Sequence, residues 1–212
     1  MDLGLGNLSV LKSFLLNPAL SSQSVYNDAI IAIGRGVAAQ IDKYCNRRIA
    51  RLAGAIEEFN ADRRHFFLSR YPIETITTLE VKTNDIQGWI AQPADAILVS
   101  AYVTGFIQFG GLLADYPGRA RVTYTGGYYY EILEPTDSGY PATAPTGSTA
   151  LPNDIRMAWL QQCARTWEIR DKLGINVAKP AEFTAATQSL GALELIPQVK
   201  ELLLGHRRYM VT

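Results

Sequence analysis

The stretch RVTYTGGYYY, residues 121–130, decides how the rest of the chain is read. Val122 and Tyr124 alternate with Arg121, Thr123 and Thr125, which gives one apolar and one polar face. That period of two is the signature of a half-buried strand. Gly126 and Gly127 stop it, because glycine accepts the positive φ that a sharp turn needs. From this point back to about Glu57 the sequence reads as strand, and beyond Pro152 it reads mainly as helix. The stretch is therefore a joint between a β part and an α part.

Upstream, His65-Phe66-Phe67-Leu68 is a short apolar run, and residues 73–81 are β-branched and threonine-rich, as strands prefer. Residues 96–109 read as one further strand, apolar on both faces, with Gly105 marking a bend or bulge. Short turns separate four or five such strands, which argues for a small antiparallel sheet or barrel rather than βαβ units. Residues 131–150 hold three prolines, two glycines and four threonines, so no regular structure is expected there. A loop of that length inside a compact domain is uncommon, and either it moves or something outside the monomer orders it.

The helical parts lie on either side. Residues 8–16 suit a short amphipathic helix ended by Asn17-Pro18. Residues 25–48 place Tyr26, Ile30, Ile33, Val37, Ile41 and Tyr44 at steps of three and four, one apolar stripe. Gly34 and Gly36 interrupt that helix and are read as a kink or as the close approach of another helix, a second subunit's included. Residues 152–173 follow, with Pro152 in the first turn and Ile155, Trp159, Cys163 and Trp167 on one face. A last short helix covers 197–204 with Val199, Leu202 and Leu203 inward. The fold class is thus α+β: a helical bundle of about three main helices with an inserted small antiparallel β-sheet or barrel. Its expected divisions are 1–56 helical, 57–130 inserted β, 131–150 loop and 151–212 helical, in one composite domain.

With 212 residues, 20 basic and 20 acidic side chains and 48% hydrophobic residues, the chain can bury one ordinary core. A protein whose main task is gripping phosphates would carry a basic excess, and this one has none. Cys45 and Cys163 both fall in helical patterns and are read as buried free thiols, which suits a reducing cytoplasm. No apolar run approaches the ~20 residues of a membrane span, and the first residues do not resemble a signal peptide, so a soluble, unexported chain is expected.

The motifs of several chemistries are missing. There is no phosphate-binding loop, Gly34-Arg35-Gly36 lacks the preceding strand of a dinucleotide site, and His65, His206 and the two cysteines lack metal-ligand spacing. No Gly-x-Ser-x-Gly elbow marks a nucleophile. Glu57, Glu58 and Asp62 are carboxylates close in sequence, but a solvated strand edge explains them more simply. No catalytic residue, cofactor or metal site is assigned. Three basic doublets, Arg47-Arg48, Arg63-Arg64 and Arg207-Arg208, serve either as helix-end and strand-edge charge or as contacts to DNA or an acidic partner. Tyr128, Tyr129 and Tyr130 suit stacking on bases or sugars, or a protein interface, which is the reading favoured here.

The order of elements now becomes specific. A helix ends in Tyr44-Cys45-Asn46-Arg47-Arg48, and a strand opens with Arg70-Tyr71-Pro72-Ile73. The strand Val122-Thr123-Tyr124-Thr125-Gly126-Gly127-Tyr128 leads into a loop, Leu151-Pro152-Asn153-Asp154-Ile155 opens a helix, and Arg207-Arg208-Tyr209 closes the chain's last short helix. This series resembles the head–tail connector, or adaptor, proteins of long-tailed bacteriophages over residues 25–209. The loop 131–150 is longer than that family's usual link, and 175–196 has no counterpart in it.

The resemblance implies a structural virion protein with no enzymatic activity. It implies a homo-oligomeric ring, commonly of twelve copies, beneath the portal protein, extending the DNA channel and docking a neck stopper or tail protein. DNA would pass through without sequence-specific binding, no membrane would be involved, and assembly would occur in the host cytoplasm before incorporation at the neck. The candidate partner-interface residues are Arg47, Arg48, Tyr128, Tyr129, Tyr130, Arg207, Arg208 and Tyr209. The competing readings are another neck protein (a stopper or tail terminator), a β-domain binding sugar or peptide through Trp89 and Tyr128–Tyr130, and a hydrolase whose site assembles only in space.

Overall fold

The computed structural model describes residues 2–16, 24–61, 64–93, 97–109, 118–170 and 194–208. It bears out the α+β class: helices stand beside small antiparallel sheets, and the sheets are open rather than closed into a barrel. The chain divides into two compact units. The first, mainly helical, comprises Met1–Tyr44, Ile132–Pro141 and Asn153–Arg207. The second, mainly β, comprises Cys45–Glu131, Ala142–Pro152 and Arg208–Thr212.

In the helical unit, α1 (Leu8–Leu15) starts where the Asn7 side chain accepts a hydrogen bond from the Val10 N–H at 3.0 Å. Helix α2 (Asn27–Cys45) buries Ile30, Val37 and Ile41 from the expected stripe, while Tyr26, Ile33 and Tyr44 are half-buried. It ends at Asn46, whose φ of 52° is the left-handed conformation that asparagine tolerates. Helix α3 (Asn153–Ile169) buries Ile155, Trp159 and Cys163 as its four-residue spacing predicts. Pro197 opens α4 (Pro197–Leu203), which buries Val199 and Leu203. Gly205 does not stop the chain at once, since a 3-10 turn runs on through Leu204–His206. Gln162 on α3 pins the lead-in to α4, donating to the Glu194 carbonyl and accepting from the Ile196 N–H.

The β unit is built around β7 (Arg119–Gly126). In sequence this strand closes the series; in space it lies inside a four-stranded sheet. It pairs antiparallel with β1 (Leu52–Asn60) on one side and β3 (Ile73–Lys82) on the other, and β3 also pairs with β4 (Ile90–Ala91). Ala120, Val122, Tyr124 and Gly126 are buried, and the residues between them are not, so the period-two reading holds along the whole strand. Strand β1 opens at Leu52, ahead of the expected start near Glu57. Its first residues, LAGA, carry no alternation that would mark a strand, and the pairing of Leu52 with Gly126 is what recruits them.

A second sheet contains β2 (His65–Phe67), β5 (Ile97–Ala101) and β6 (Phe106–Phe109), with β6 in the middle. Here the expectation of a single strand over 96–109 is corrected. The segment is an antiparallel hairpin, with Ile97 opposite Phe109 and Ala101 opposite Phe106. Gly105 supplies the reversal with a φ of 74°, and a Cβ there would stand 2.8 Å from the Tyr71 ring. Phe66, Ile107 and Phe109 from this sheet share one core with Leu79, Val122 and Tyr124 from the other.

The pair Gly126-Gly127 redirects the chain without ending its pairing. A Cβ on Gly127 (φ 97°) would lie 2.6 Å from the Ala50 carbonyl oxygen, and one on Gly126 would lie 2.6 Å from that of Arg70. Two backbones therefore pass where no side chain fits. Immediately afterwards β8 (Tyr128–Tyr129) pairs in parallel with β9 (Thr149–Ala150). The segment 131–150, expected to lack regular structure, thus contributes a strand and is held from within the chain. Tyr129 donates its hydroxyl to the Ala142 carbonyl at 3.2 Å, and the Ala142 N–H donates to Glu131 at 2.6 Å.

Candidate partner-binding surfaces

Arg47 follows directly on the left-handed Asn46, and its side chain lies inside the β unit with 5% of its surface exposed. Its guanidinium carbon sits 3.4 Å from the ring centre of Tyr71 and 5.2 Å from that of Tyr128, and Nη2 donates to the Tyr71 carbonyl. Its Nε has no hydrogen-bond partner among the described residues. Such stacking desolvates a cation against π-electron density and stabilises it. Arg47 and Tyr128 are therefore brought together, in an internal clamp. Tyr128 is 8% exposed; Tyr129 and Tyr130 are half-buried.

Arg48 is exposed, and its backbone N–H donates to Ser69 at 2.9 Å. The N–H of Arg208 donates to the Cys45 carbonyl at 2.8 Å, and the Arg208 guanidinium stands 5.1 Å from the ring of Phe67. In the helical unit Arg207 is exposed, with its guanidinium 5.3 Å from the Tyr44 ring. Tyr209 lies outside the described residues, as do Asp62, Arg63 and most of 175–196.

Ion pairs lie on and beside the four-stranded sheet, and Ile56 is exposed on its outward face. Arg121 bonds Glu80 at 2.8 Å, Arg51 bonds Glu74 at 2.8 Å, and the Arg121 guanidinium covers Trp89 at 4.4 Å. Trp89, considered above as a ligand platform, already has a cation on its ring. Glu57 is likewise engaged: it accepts from the N–H and hydroxyl of Ser69 and from the phenol of Tyr124. Burial, followed by the hydrogen bond to Glu57, drives the Tyr124 phenol well above its ordinary range. Burial does the same to the Cys163 thiol, so it is not an activated thiolate.

At the start of α3, His206 Nε2 and Asp154 Oδ2 are 2.6 Å apart. Burial works against the Asp154 carboxylate, but hydrogen bonds from His206 and the Ile155 N–H outweigh it and hold the group below the usual range. A shallow groove of about 470 Å³ in the same unit is lined by Lys43, Tyr44, Lys200 and Arg207 together with Gln40, Glu194 and Leu195. Among the described residues no group of three or more His, Cys, Asp or Glu is placed to hold a metal ion. No described helix is long and apolar enough to cross a membrane.

Sequence reasoning passed over Phe67 and Phe106. Their rings are 5.0 Å apart on the face of the second sheet turned away from the core. The run HFF carried the signal, because period two sends Phe66 inward and therefore His65 and Phe67 outward.

No family model and no curated protein matches this chain. Solved structures do. A chain in the structure described as "Neck of empty GTA particle computed with C6 symmetry" aligns with a TM-score of 0.59 at 16% identity, covering 97% of this chain and 90% of that one. A chain in "Virion of native gene transfer agent (GTA) particle" aligns with a TM-score of 0.58 at 18% identity and the same coverage. The protein has the fold of those chains over nearly its whole length.

Proposed function

We propose that the protein is a structural component of the neck of a phage-like particle, and specifically an adaptor subunit. In this reading, copies form a ring beneath the portal protein, extend the DNA channel and receive a stopper or tail protein. The observation that carries it is the near-complete fold likeness to a chain from a particle described as a neck, 97% of this chain against 90% of that one. The ordered motifs from Tyr44-Cys45 to Arg207-Arg208 support the same reading independently. A ring of twelve copies is compatible with the six-fold symmetry under which that neck is described. A net charge of zero suits a wall past which DNA must slide. The β unit and the chain's termini are the parts proposed to meet portal and tail-side partners.

The test is low-resolution electron microscopy of the protein mixed with the portal of its own particle. Rings stacked on the portal are expected. Portal particles without added density would overturn the adaptor assignment. A stopper or terminator would instead add density only when an adaptor ring is already in place.

A further inference from the structure

The outward face that β2 and β6 share is aromatic, and basic residues flank it. His65, Phe67 and Phe106 point away from the core that Phe66, Ile107 and Phe109 fill. Phe67 is 51% exposed, Arg208 stands over its ring, and exposed Arg64 leads into β2. Neither β2 nor β6 contains a carboxylate.

A segment of opposite character lies in the other unit. The loop Ile132–Pro141, ILEPTDSGYP, carries Glu134 and Asp137 and no lysine or arginine. Ile132 is 43% exposed and Tyr140 is 44% exposed. The loop is held in shape by bonds from the Asp137 N–H to the Glu134 carbonyl, the Glu134 N–H to Asp137 Oδ2 and the Tyr140 N–H to the Asp137 carbonyl.

We propose that the loop Ile132–Pro141 of one copy docks on the His65–Phe67–Phe106 face of the next copy. The proposal rests on the ring reading above and names the surfaces that would join its subunits. Asp137 meets Arg208 and Arg64, while Ile132 and Tyr140 cover Phe67 and Phe106. A contact between two different patches of one chain is heterologous, and such contacts repeat until the rotation closes a ring. Charge complementarity fixes its register, and a loop already ordered loses little freedom on docking.

Disulfide trapping in the full chain tests the contact directly. The double variant Phe67→Cys with Tyr140→Cys is oxidised at high protein concentration and run on a non-reducing gel. The control is Phe67→Cys with Ile86→Cys, since Ile86 is 98% exposed on a turn the contact does not use. Cys45 and Cys163 are buried and serve as a common background. A ladder of covalent multimers several-fold stronger than in the control is expected. It should weaken when Arg208→Glu is added and recover when Asp137→Arg is added to that variant. A ladder no stronger than the control overturns the contact. Absence of the ladder together with retention of duplex DNA that Arg208→Glu abolishes would assign the face to nucleic acid and equally overturn it. Rings on the portal without the ladder would remove this contact and leave the neck reading standing. The ladder without rings would keep the contact and remove the neck reading.

Discussion

The indole Nε1–H of Trp159 donates to the carbonyl oxygen of Gly34 across 3.0 Å, at a turn of α2 where a side chain has no room. A Cβ on Gly34 would stand 2.9 Å from Leu3 Cδ2 and 3.2 Å from Leu11 Cδ2, and both leucines are fully buried. A Cβ on Gly36 would meet nothing within 4 Å. The two glycines therefore respond in opposite directions. Gly36→Ala is expected to stabilise the protein by about 0.5–1 kcal/mol through helix propensity. Gly34→Val is expected to destabilise it by about 1–3 kcal/mol through overpacking. Urea denaturation midpoints decide the matter, and equal shifts at both positions would exclude this account.

Both glycines looked alike in the sequence because helical periodicity does not report what faces a position. The stripe Ile30–Val37–Ile41 and the alternation Val122–Tyr124 were legible because each reflects one element's own period. The hairpin at Gly105 was not, since an apolar run on both faces hides where a strand reverses. Nor was the position of Arg47: a doublet of arginines looks like surface charge until Tyr71 and Tyr128 are seen on either side of one of them. The Phe67–Phe106 face needed the pairing of β2 with β6, a relation between strands about forty residues apart in sequence that no local pattern encodes.

Gly127 gives a second prediction. With φ at 97° and the Ala50 carbonyl oxygen 2.6 Å from a would-be Cβ, both the backbone conformation and the space exclude an L side chain. Gly127→Ala is expected to cost about 1–3 kcal/mol and to loosen the Arg51 N–H bond to the Tyr128 carbonyl. Hydrogen exchange at Arg51 and Tyr128 should quicken more than at Val122 in the middle of β7. Uniform quickening across the sheet would point to global destabilisation alone.

Glu134 makes stability depend on pH. Burial disfavours its carboxylate, but the Ser9 hydroxyl and the N–H groups of Leu8 and Ser9 outweigh that and hold its pKa below the ordinary value. A depressed folded-state pKa contributes stability that is complete above the unfolded-state pKa and is lost as pH falls through the folded one. Glu134→Gln should therefore be less stable than the parent by about 1 kcal/mol at neutral pH, allowing for solvent screening. The gap should close as pH falls below the ordinary carboxylate range and through the depressed folded-state pKa. A gap independent of pH would show that shape rather than charge matters at this position. The same tether bears on proteolysis. The parent loop should resist thermolysin, which cuts before Ile132 or Leu133, in the free chain, and Glu134→Ala should be cut faster.

The end of the chain allows the last prediction. Removing residues 206–212 takes away His206, which is 2.6 Å from Asp154, and Arg208, whose N–H bonds the Cys45 carbonyl at 2.8 Å. Both partners lie at helix ends, Asp154 in the first turn of α3 and Cys45 at the close of α2. Losing a hydrogen-bond partner at such a position typically costs about 0.5–1.5 kcal/mol, and the backbone bond adds about 1 kcal/mol more. This deletion is therefore expected to lower stability measurably as well as to weaken portal docking. Stopping the chain after Arg208 keeps every one of these bonds. The shorter truncation should match the parent in thermal denaturation, and weakened portal binding by it would then assign docking to the last four residues, Tyr209 included. If it binds portal as tightly as the parent while the longer deletion does not, the recognition lies in His206–Arg208 or in the order they maintain. His206→Gln and Arg208→Ala separate those two cases, because the glutamine keeps a donor toward Asp154 and the alanine keeps the backbone bond to Cys45.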